Sequence, residues 1–472
     1  MQTQCKEKQL EFQGFGRRQV VASFDGGRIS SDGGLLLLRE VAKRTGLLGR
    51  FAQCFTDYRD ARYIEHTVEE LVGQRVLALA QGYEDLNDHD TLRDDLLLTL
   101  AVGKPDLTGA QRSRKRDRGH ALAGKSTLNR LERTPEQLAV KERYTKIVYD
   151  ATRIEELLTD DYIRAQPSPP EEVVLDLDAT DDPLHGKPEG RFFHGYYGCY
   201  CYLPLYIFCG DYLLCAKLRQ SNHDGAAGAL DEVKRIVAQL RAVWPTLRIT
   251  LRADSGFARE ELMKWCEQHQ VDYVFGLARN SRLEALIHDE LAAAAVLSRE
   301  SGQPVRIFKD LTYQRRESWW CARRVVGKAE HLPDKPNPRF VVTSYPVERM
   351  AAAALYEQLY CARGDMENRI KEQQLGLFAD RTSSATMRAN QLRLWFAALA
   401  YALLNHLRHR GLCDTELARA QVSTIRARLL KIGARVTISV RRIVASLSSA
   451  FPLQELFTRV LAHLQATPAP SP

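Results

Sequence analysis

The segment VVLDLD at 173–178 constrains this chain more than any other. It is a short apolar run of the kind that fills a buried strand, yet it carries two carboxylates. It follows Gln166-Pro-Ser-Pro-Pro170, which cannot continue a helix. A strand interior is a costly place for a carboxylate unless something pairs with it. Side chains two apart on a strand share a face, so Asp176 and Asp178 point the same way. A second strand, LRITLRAD at 247–254, ends on a third carboxylate, Asp254.

The surrounding pattern supplies the layers. Strands are expected at 196–209 and 212–218, joined at Gly210-Asp211, and at 273–277. Helices are expected at about 226–243 and 259–269. The order from 171 to 281 is therefore β-β-β-α-β-α-β, with an antiparallel start and a parallel finish. That is an α/β layer architecture, in the order of an RNase-H-like domain. Residues 282–349 read as a β-rich insertion, with strands at 305–313, 319–328 and 339–343. Helices return at 347–375 and 385–409, so 350–412 would close the catalytic domain. Residues 413–472 form a basic C-terminal region, and its Pro-rich end from Thr467 reads as disordered.

Upstream of the Pro-rich linker, residues 1–166 read as mainly helical. One helix runs from about Gly34 and stops near Gly46. Another opens with Thr67-x-x-Glu70, a capping-box pattern, and ends near Gly82. Further helices are expected at 91–101 and 134–158. At 472 residues the chain exceeds a single core.

Charge bears on the partner. The net charge is +8, and the excess is concentrated. From Gln111 to Lys146 there are eleven Lys/Arg against four Asp/Glu, and from Thr415 onward eight against two. Such blocks suit a polyanion, although a single block also suits a solvated helical face. Arg112, Arg114, Lys115, Arg116 and Lys125 are the candidate phosphate contacts of the first block, which makes 1–166 a candidate DNA-binding region. The ten cysteines form no C-x-x-C pair. Several lie in apolar, aromatic sequence, as expected of buried thiols in a reducing compartment. The N-terminus lacks an apolar signal core, and the most apolar stretch, 394–404, is too short to span a bilayer. A cytoplasmic protein with no membrane partner is expected.

Carboxylates converging from neighbouring strand positions make a hard, oxygen-rich site suited to Mg²⁺. The same residues could serve as strand-end caps or in ion pairs. A further carboxylate should come from a helix packed on the sheet. On an unbroken helix Tyr360, Arg363, Glu367 and Lys371 share one stripe, and Glu372 is turned away from it. Glu367 and Lys371 also have the spacing of an ordinary i,i+4 salt bridge.

These segments together resemble the group 1 DDE-domain transposases of bacterial insertion sequences. The matching residues are LDLDAT at 175–180, RADSGF at 252–257 and Y-x-x-R-x-x-x-E from Tyr360 to Glu367, most of the Y-R-E-K signature. The similarity runs from about Phe15 to Leu461. It implies that Asp178, Asp254 and Glu367 are the catalytic, metal-binding triad, and that Tyr360 and Arg363 contact DNA phosphates near the cut. The signature Lys is replaced by Gln374, and Lys371, one turn earlier, is the candidate substitute. The resemblance implies two Mg²⁺ (or Mn²⁺) ions per active site and DNA, both transposon ends and target, as partner. It also implies a homo-oligomer on DNA and a reaction in which DNA is cleaved and its 3′-OH ends are joined to target. A related enzyme that only hydrolyses DNA, or a catalytically inactive transposase-derived DNA-binding protein, are the alternatives.

Three further features bear on function. GHALAGKS at 119–126 matches the P-loop spacing, but it follows the charged run Arg112-Ser-Arg-Lys-Arg-Asp-Arg118 instead of a buried strand. No nucleotide cofactor is expected. Trp319 and Trp320, flanked by Arg pairs, suit stacking on an unpaired base, although one of two adjacent strand residues normally faces the core. His185, His194 and His223 lack metal-ligand spacing.

Overall fold

The computed structural model describes residues 9–136 and 144–466. The expected helix over 134–158 lies partly, and the Pro-rich tail from Thr467 wholly, outside the described residues. Among the described residues, the largest element is an eight-stranded mixed sheet. Its order is Tyr212–Lys217, Leu205–Cys209, Glu172–Ala179, Arg248–Ala253, Asp272–Leu277, Arg339–Thr343, Arg323–His331 and Val305–Tyr313. Glu172–Ala179, Arg248–Ala253 and Asp272–Leu277 run parallel. The remaining neighbours are antiparallel. Parallel neighbours need crossover connections, and the helices Ala229–Val243 and Glu260–Gln268 lie on them.

Strand alternation decides which face carries the carboxylates. Leu175 and Leu177 pack with Val233, Ile236, Leu240 and Met263 from those two helices. Asp176 and Asp178, one residue out of step, face the opposite side. There Tyr206 and Phe208 pack against the helix Met387–His406, and Val274, Val326 and Val341 pack with Leu355 and Tyr356. The helix Met387–His406 is buried on all sides, as an all-round apolar helix must be. Among the described residues no helix is long and apolar enough to cross a membrane.

The helical stretch above Asp178 is not the regular helix expected over 347–375. Ala352–Ala354 and Gly364–Lys371 are α, Leu355–Tyr360 and Glu372–Gly376 are π, and Cys361–Arg363 is a 3-10 turn. The backbone stays right-handed through every junction, so Gly364 does not break it. Wide π turns of this sort recur at functional sites, where they re-aim side chains.

The N-terminal signals appear where the sequence puts them. The helix Leu35–Thr45 ends on Gly46, and Val68–Gln81 opens with the Thr67/Glu70 capping box and ends on Gly82. Both glycines adopt the left-handed conformation of helix C-termini. Four other expectations need correction. The 91–101 helix is two, His89–Leu92 and Leu96–Val102, because Asp95 caps a new start. Within 134–158, Ile147–Tyr149 is a strand paired with Phe55–Asp57, and the helix is Ala151–Ala165, capped by Asp150. The single strand expected over 196–209 is split at Leu203-Pro204, where proline has no N–H for a ladder. The strands of 282–349 continue the central sheet through the pairing of Asp272–Leu277 with Arg339–Thr343, the middle one is Arg323–His331 and not 319–328, and the helices Ser281–Leu286 and His288–Ser301 precede them.

The first helices are not a separate body. Leu71, Val76 and Leu79 share one core with Leu394, Trp395 and Leu403. Distant segments also meet. Lys431 Nζ donates to Asp32 Oδ1 at 2.6 Å across 399 positions of sequence, and Gly33 and Gly34 N–H donate to Ile432 and Leu430 O. A Cβ on Gly34 would lie 2.3 Å from Leu430 Cα, so only glycine permits this approach.

Candidate active site

The central strand Glu172–Ala179 delivers two carboxylates to the covered face, and the sheet register separates their roles. Arg252 lies opposite Asp176 on the parallel neighbour. Its guanidinium grips Asp176 in a fork, at 2.5 and 2.8 Å, and donates on to Leu359 O at 2.6 Å. Asp176 is thereby committed to tying the sheet to the helical stretch above it. Burial holds its carboxyl above the usual range, with Arg252 and Arg363 pulling the other way.

Asp178, two residues on, has no such fixed partner on the sheet. It opens into a cavity of about 690 Å³ lined also by Asp254, Glu367, Lys371 and Gln374. Asp254 reaches it from the end of its strand, where Oδ1 caps the turn Ser255–Phe257 by accepting from Gly256 N–H at 2.8 Å. Glu367 comes from Gly364–Lys371, on the far wall. Between them sits Arg363. It donates to Asp178 Oδ2 and to Glu367 Oε1, each at 3.1 Å.

The electrostatics follow from this crowding. Burial pushes the Asp178 carboxyl up to about 6, Asp254 and Glu367 push the same way, and Arg363 opposes them. Burial works against the Arg363 charge, yet Asp178, Tyr360, Glu367 and Asp254 together hold it above its ordinary value. Three hard oxygen donors thus face one cavity with a single guanidinium between them. The donor set suits a divalent cation. Among the described residues no group of three or more His, Cys, Asp or Glu is drawn close enough to enclose a metal ion, because Asp178 and Glu367 each turn onto Arg363.

Other sequence candidates are distributed around this cavity. Tyr360 stands on the opposite side of Asp254, in an adjoining cavity of about 310 Å³ with Arg279 and Arg339. A Cβ on Gly276 would meet the Tyr360 hydroxyl at 2.6 Å, so that close approach requires glycine. Burial and Asp254 hold the Tyr360 hydroxyl above its usual range, and Arg363 opposes them. Gln374, at the position of the signature Lys, donates to Asp181 O at 2.9 Å and serves the backbone. Glu372 is buried, not turned to solvent, and pairs with Arg408 and Arg369.

Two candidates for DNA contact are corrected. Trp319 is buried, with its ring edge-on to Tyr313 and the Arg323 guanidinium over it; it cannot stack on a base without leaving the core. Its neighbour Trp320 is exposed, and its Nε1 donates to Glu267. Arg112 is turned inward, bonded to Glu65 at 2.6 Å and to the carbonyl of His120. Arg114, Lys115 and Arg116 of the same run are exposed. Lys125 is exposed beside Asp90, at the start of Lys125–Glu132. A 3-10 turn, Lys115–Asp117, precedes the P-loop-like spacing.

The sequence reading did not single out the cavity residues Tyr196 and Tyr197, and it named His194 only to set it aside as a metal ligand. They belong to the hairpin of Phe192–His194 with Cys199–Tyr202. The signal available was RFFHGYYG at 191–198, a run of aromatics punctuated by glycine.

A family model described as transposase DDE domain group 1 matches residues 12–469. No curated protein matches the chain.

Proposed function

Because the chain belongs to the group 1 DDE-domain transposases, we propose that it binds the ends of its insertion sequence, cleaves phosphodiester bonds there, and joins the freed 3′-OH ends to target DNA. The observation that carries this reading is the convergence of Asp178, Asp254 and Glu367 on one cavity, from a strand, a strand end and a helix. In this reading residues 171–281 and 350–412 form an RNase-H-like catalytic unit. Enzymes of the family generally use divalent metal ions. Asp178, Asp254 and Glu367 would hold them, as two Mg²⁺ or Mn²⁺. When bound, such ions supply charge neutralisation at the phosphate and a more acidic water.

The chain's own residues do the rest. Arg363 and Lys371 offer cations to the phosphate at the cut. Arg363 is free to do so once its two carboxylates have another cation to bind. Tyr360 positions the strand on the far side of Asp254. Arg114, Lys115, Arg116 and Lys125 hold flanking DNA through its phosphates, which gives affinity without sequence preference. Trp320 is the stacking candidate that remains of the Trp pair. The protein works in the bacterial cytoplasm, on the nucleoid, as a homo-oligomer on DNA and without a nucleotide cofactor.

The test is cleavage and strand joining on a short duplex carrying the element's end. Asp178→Asn, Asp254→Asn and Glu367→Gln should each abolish cutting in Mg²⁺ and leave end binding intact. Near wild-type cutting by any of the three would remove that residue from the site.

A further inference from the structure

The hairpin of Phe192–His194 and Cys199–Tyr202 is built to present aromatic rings to water. Its base is fixed. Cys199–Tyr202 pairs with Asp182–Pro183, Ser221 Oγ donates to Phe192 O at 3.0 Å, and Tyr202 is buried with its hydroxyl on Glu189 O. Its far end is not covered. Phe193 is 58% exposed and Tyr196 86% exposed, with Tyr200 at 44%. Large exposed apolar side chains grouped in this way mark a binding surface.

Position and chemistry identify the ligand. The turn residues Tyr196 and Tyr197 line the same cavity as Asp178, Asp254 and Glu367. The Tyr197 hydroxyl donates to Ala179 O at 3.5 Å, one residue beyond Asp178. A ligand that fills the cavity meets the hairpin tip. On the hairpin's outer face Phe193 and Tyr200 stand cross-strand, ring centroids 5.4 Å apart. The Arg191 guanidinium lies 3.6 Å over the Tyr200 ring. Rings interleaved with a guanidinium suit a nucleic-acid strand whose bases are unpaired, because every base has a face to stack and every phosphate a charge to meet. A base inside a duplex shows its edges in the grooves but hides its faces from such a finger. It must leave the stack first.

We propose that this hairpin is a stacking platform for a nucleobase that has left the duplex beside the scissile phosphate. Tyr196 is the plate at the tip, and Phe193, edge-on to Tyr200, is a second exposed ring on the outer face. The proposal deepens the transposase reading and rests on it for the nature of the strand. It assigns the substrate form at the cut as locally unpaired DNA.

The experiment measures binding in EDTA by fluorescence anisotropy, with two probes: oligo-dT of about 12 nucleotides and a mixed-sequence duplex. Loss of one base stack lowers affinity by about 5- to 150-fold. Tyr196→Ala and Phe193→Ala should each lose that much on oligo-dT, with little change on the duplex. Tyr196→Phe should bind as wild type, since it keeps the ring. Wild-type affinity of Tyr196→Ala for oligo-dT would overturn the proposal, as would an equal loss on both probes. A fall of several degrees in melting temperature in Tyr196→Ala would also overturn it, because a ring this exposed supports no core. No cleavage enters this measurement. A protein that binds oligo-dT through Tyr196 but never cuts in Mg²⁺ refutes the proposed function and leaves the platform. One that cuts but ignores Tyr196→Ala does the reverse.

Discussion

Glu367 and Glu372 lie five residues apart on one helical stretch, and conversion of each to Gln should give opposite phenotypes. Glu372 is 4% exposed. Its carboxylate accepts from Arg408 Nη2 at 3.0 and 3.2 Å, from Arg369 Nη1 at 2.7 Å and from Val422 N–H at 3.0 Å. Glutamine fills the same space but presents two donors to two guanidinium groups. Removing one partner of a buried pair costs about 3–5 kcal/mol, and the bond retained from Val422 N–H offsets about 1 kcal/mol of it. The net loss is about 2–4 kcal/mol. Unfolding entropy near 2.1 cal/mol/K per residue comes to about 1 kcal/mol/K for a chain of 472 residues. Glu372→Gln should therefore melt about 2–4 °C low. The Glu367 side chain is 49% exposed and, among the described residues, bonded to Arg363 alone, an exposed pair of the kind that contributes about 0–1 kcal/mol. Glu367→Gln should melt within about 1 °C of wild type and lose cleavage, while folded Glu372→Gln keeps cutting. Thermal melts in EDTA, followed by cleavage in Mg²⁺ below the transition, measure both. A wild-type melt for Glu372→Gln, or cutting lost in Glu372→Gln but kept in Glu367→Gln, would refute the assignment.

Alanine at Arg114, Lys115 and Arg116 together should flatten the salt dependence of DNA binding by about 0.9 slope units per lost phosphate contact, read from binding isotherms across a salt series. Arg112→Ala should instead lower stability by about 1–3 kcal/mol in denaturant melts, because it strips partners from Glu65 and the His120 carbonyl. Trp319→Ala should cost about 3–5 kcal/mol, the usual figure for emptying a core aromatic, whereas exposed Trp320 should tolerate alanine within about 1 kcal/mol; equal losses would mean that both rings are core. Burial pushes the Asp182 carboxyl up to about 8, Asp380 and Asp181 add to this, and the Thr382 hydroxyl opposes it. The folded protein thus holds this proton more tightly than the unfolded chain, so stability falls as pH rises from about 4 and levels off above about 8. Asp182→Asn should raise the melting temperature near pH 8.5 relative to wild type, with the gain shrinking toward pH 4; a gain independent of pH would refute the sign.

What could be read from the sequence was what depends on neighbours in sequence. The capping box at Thr67 and Glu70 and the stops at Gly46 and Gly82 are local chemistry and appear as expected. The common face of Asp176 and Asp178 follows from strand alternation. What could not be read depends on register and packing. Only the parallel pairing that sets Arg252 beside Asp176 separates its role from that of Asp178. Trp319 and Trp320 are equivalent as letters, and which one faces the core is a matter of phase against Tyr313. The strands of 282–349 were visible, but an edge pairing with Asp272–Leu277 leaves no mark in their composition. The aromatic hairpin carried its signal openly, in FFHGYY at 192–197, yet only its placement over the cavity makes it part of the candidate site.

The bond between Asp32 and Lys431 has a consequence in time. A ribosome adds about 5–20 residues per second, so the glycine pair after Asp32 waits roughly 20–80 s for the backbone at 430–432 that it pairs with. Over that interval Leu35, Leu37 and Leu38, which end in the shared core, lack the cover of Met387–His406 and Gln454–Ala466. A nascent chain that stops before Met387 leaves part of that apolar surface uncovered. A chain that stops between Glu367 and Lys431 has made Asp178, Asp254 and Glu367, but not the bond that ties its two ends together. Closure of the shared core thus comes only after all three candidate-site carboxylates have been made.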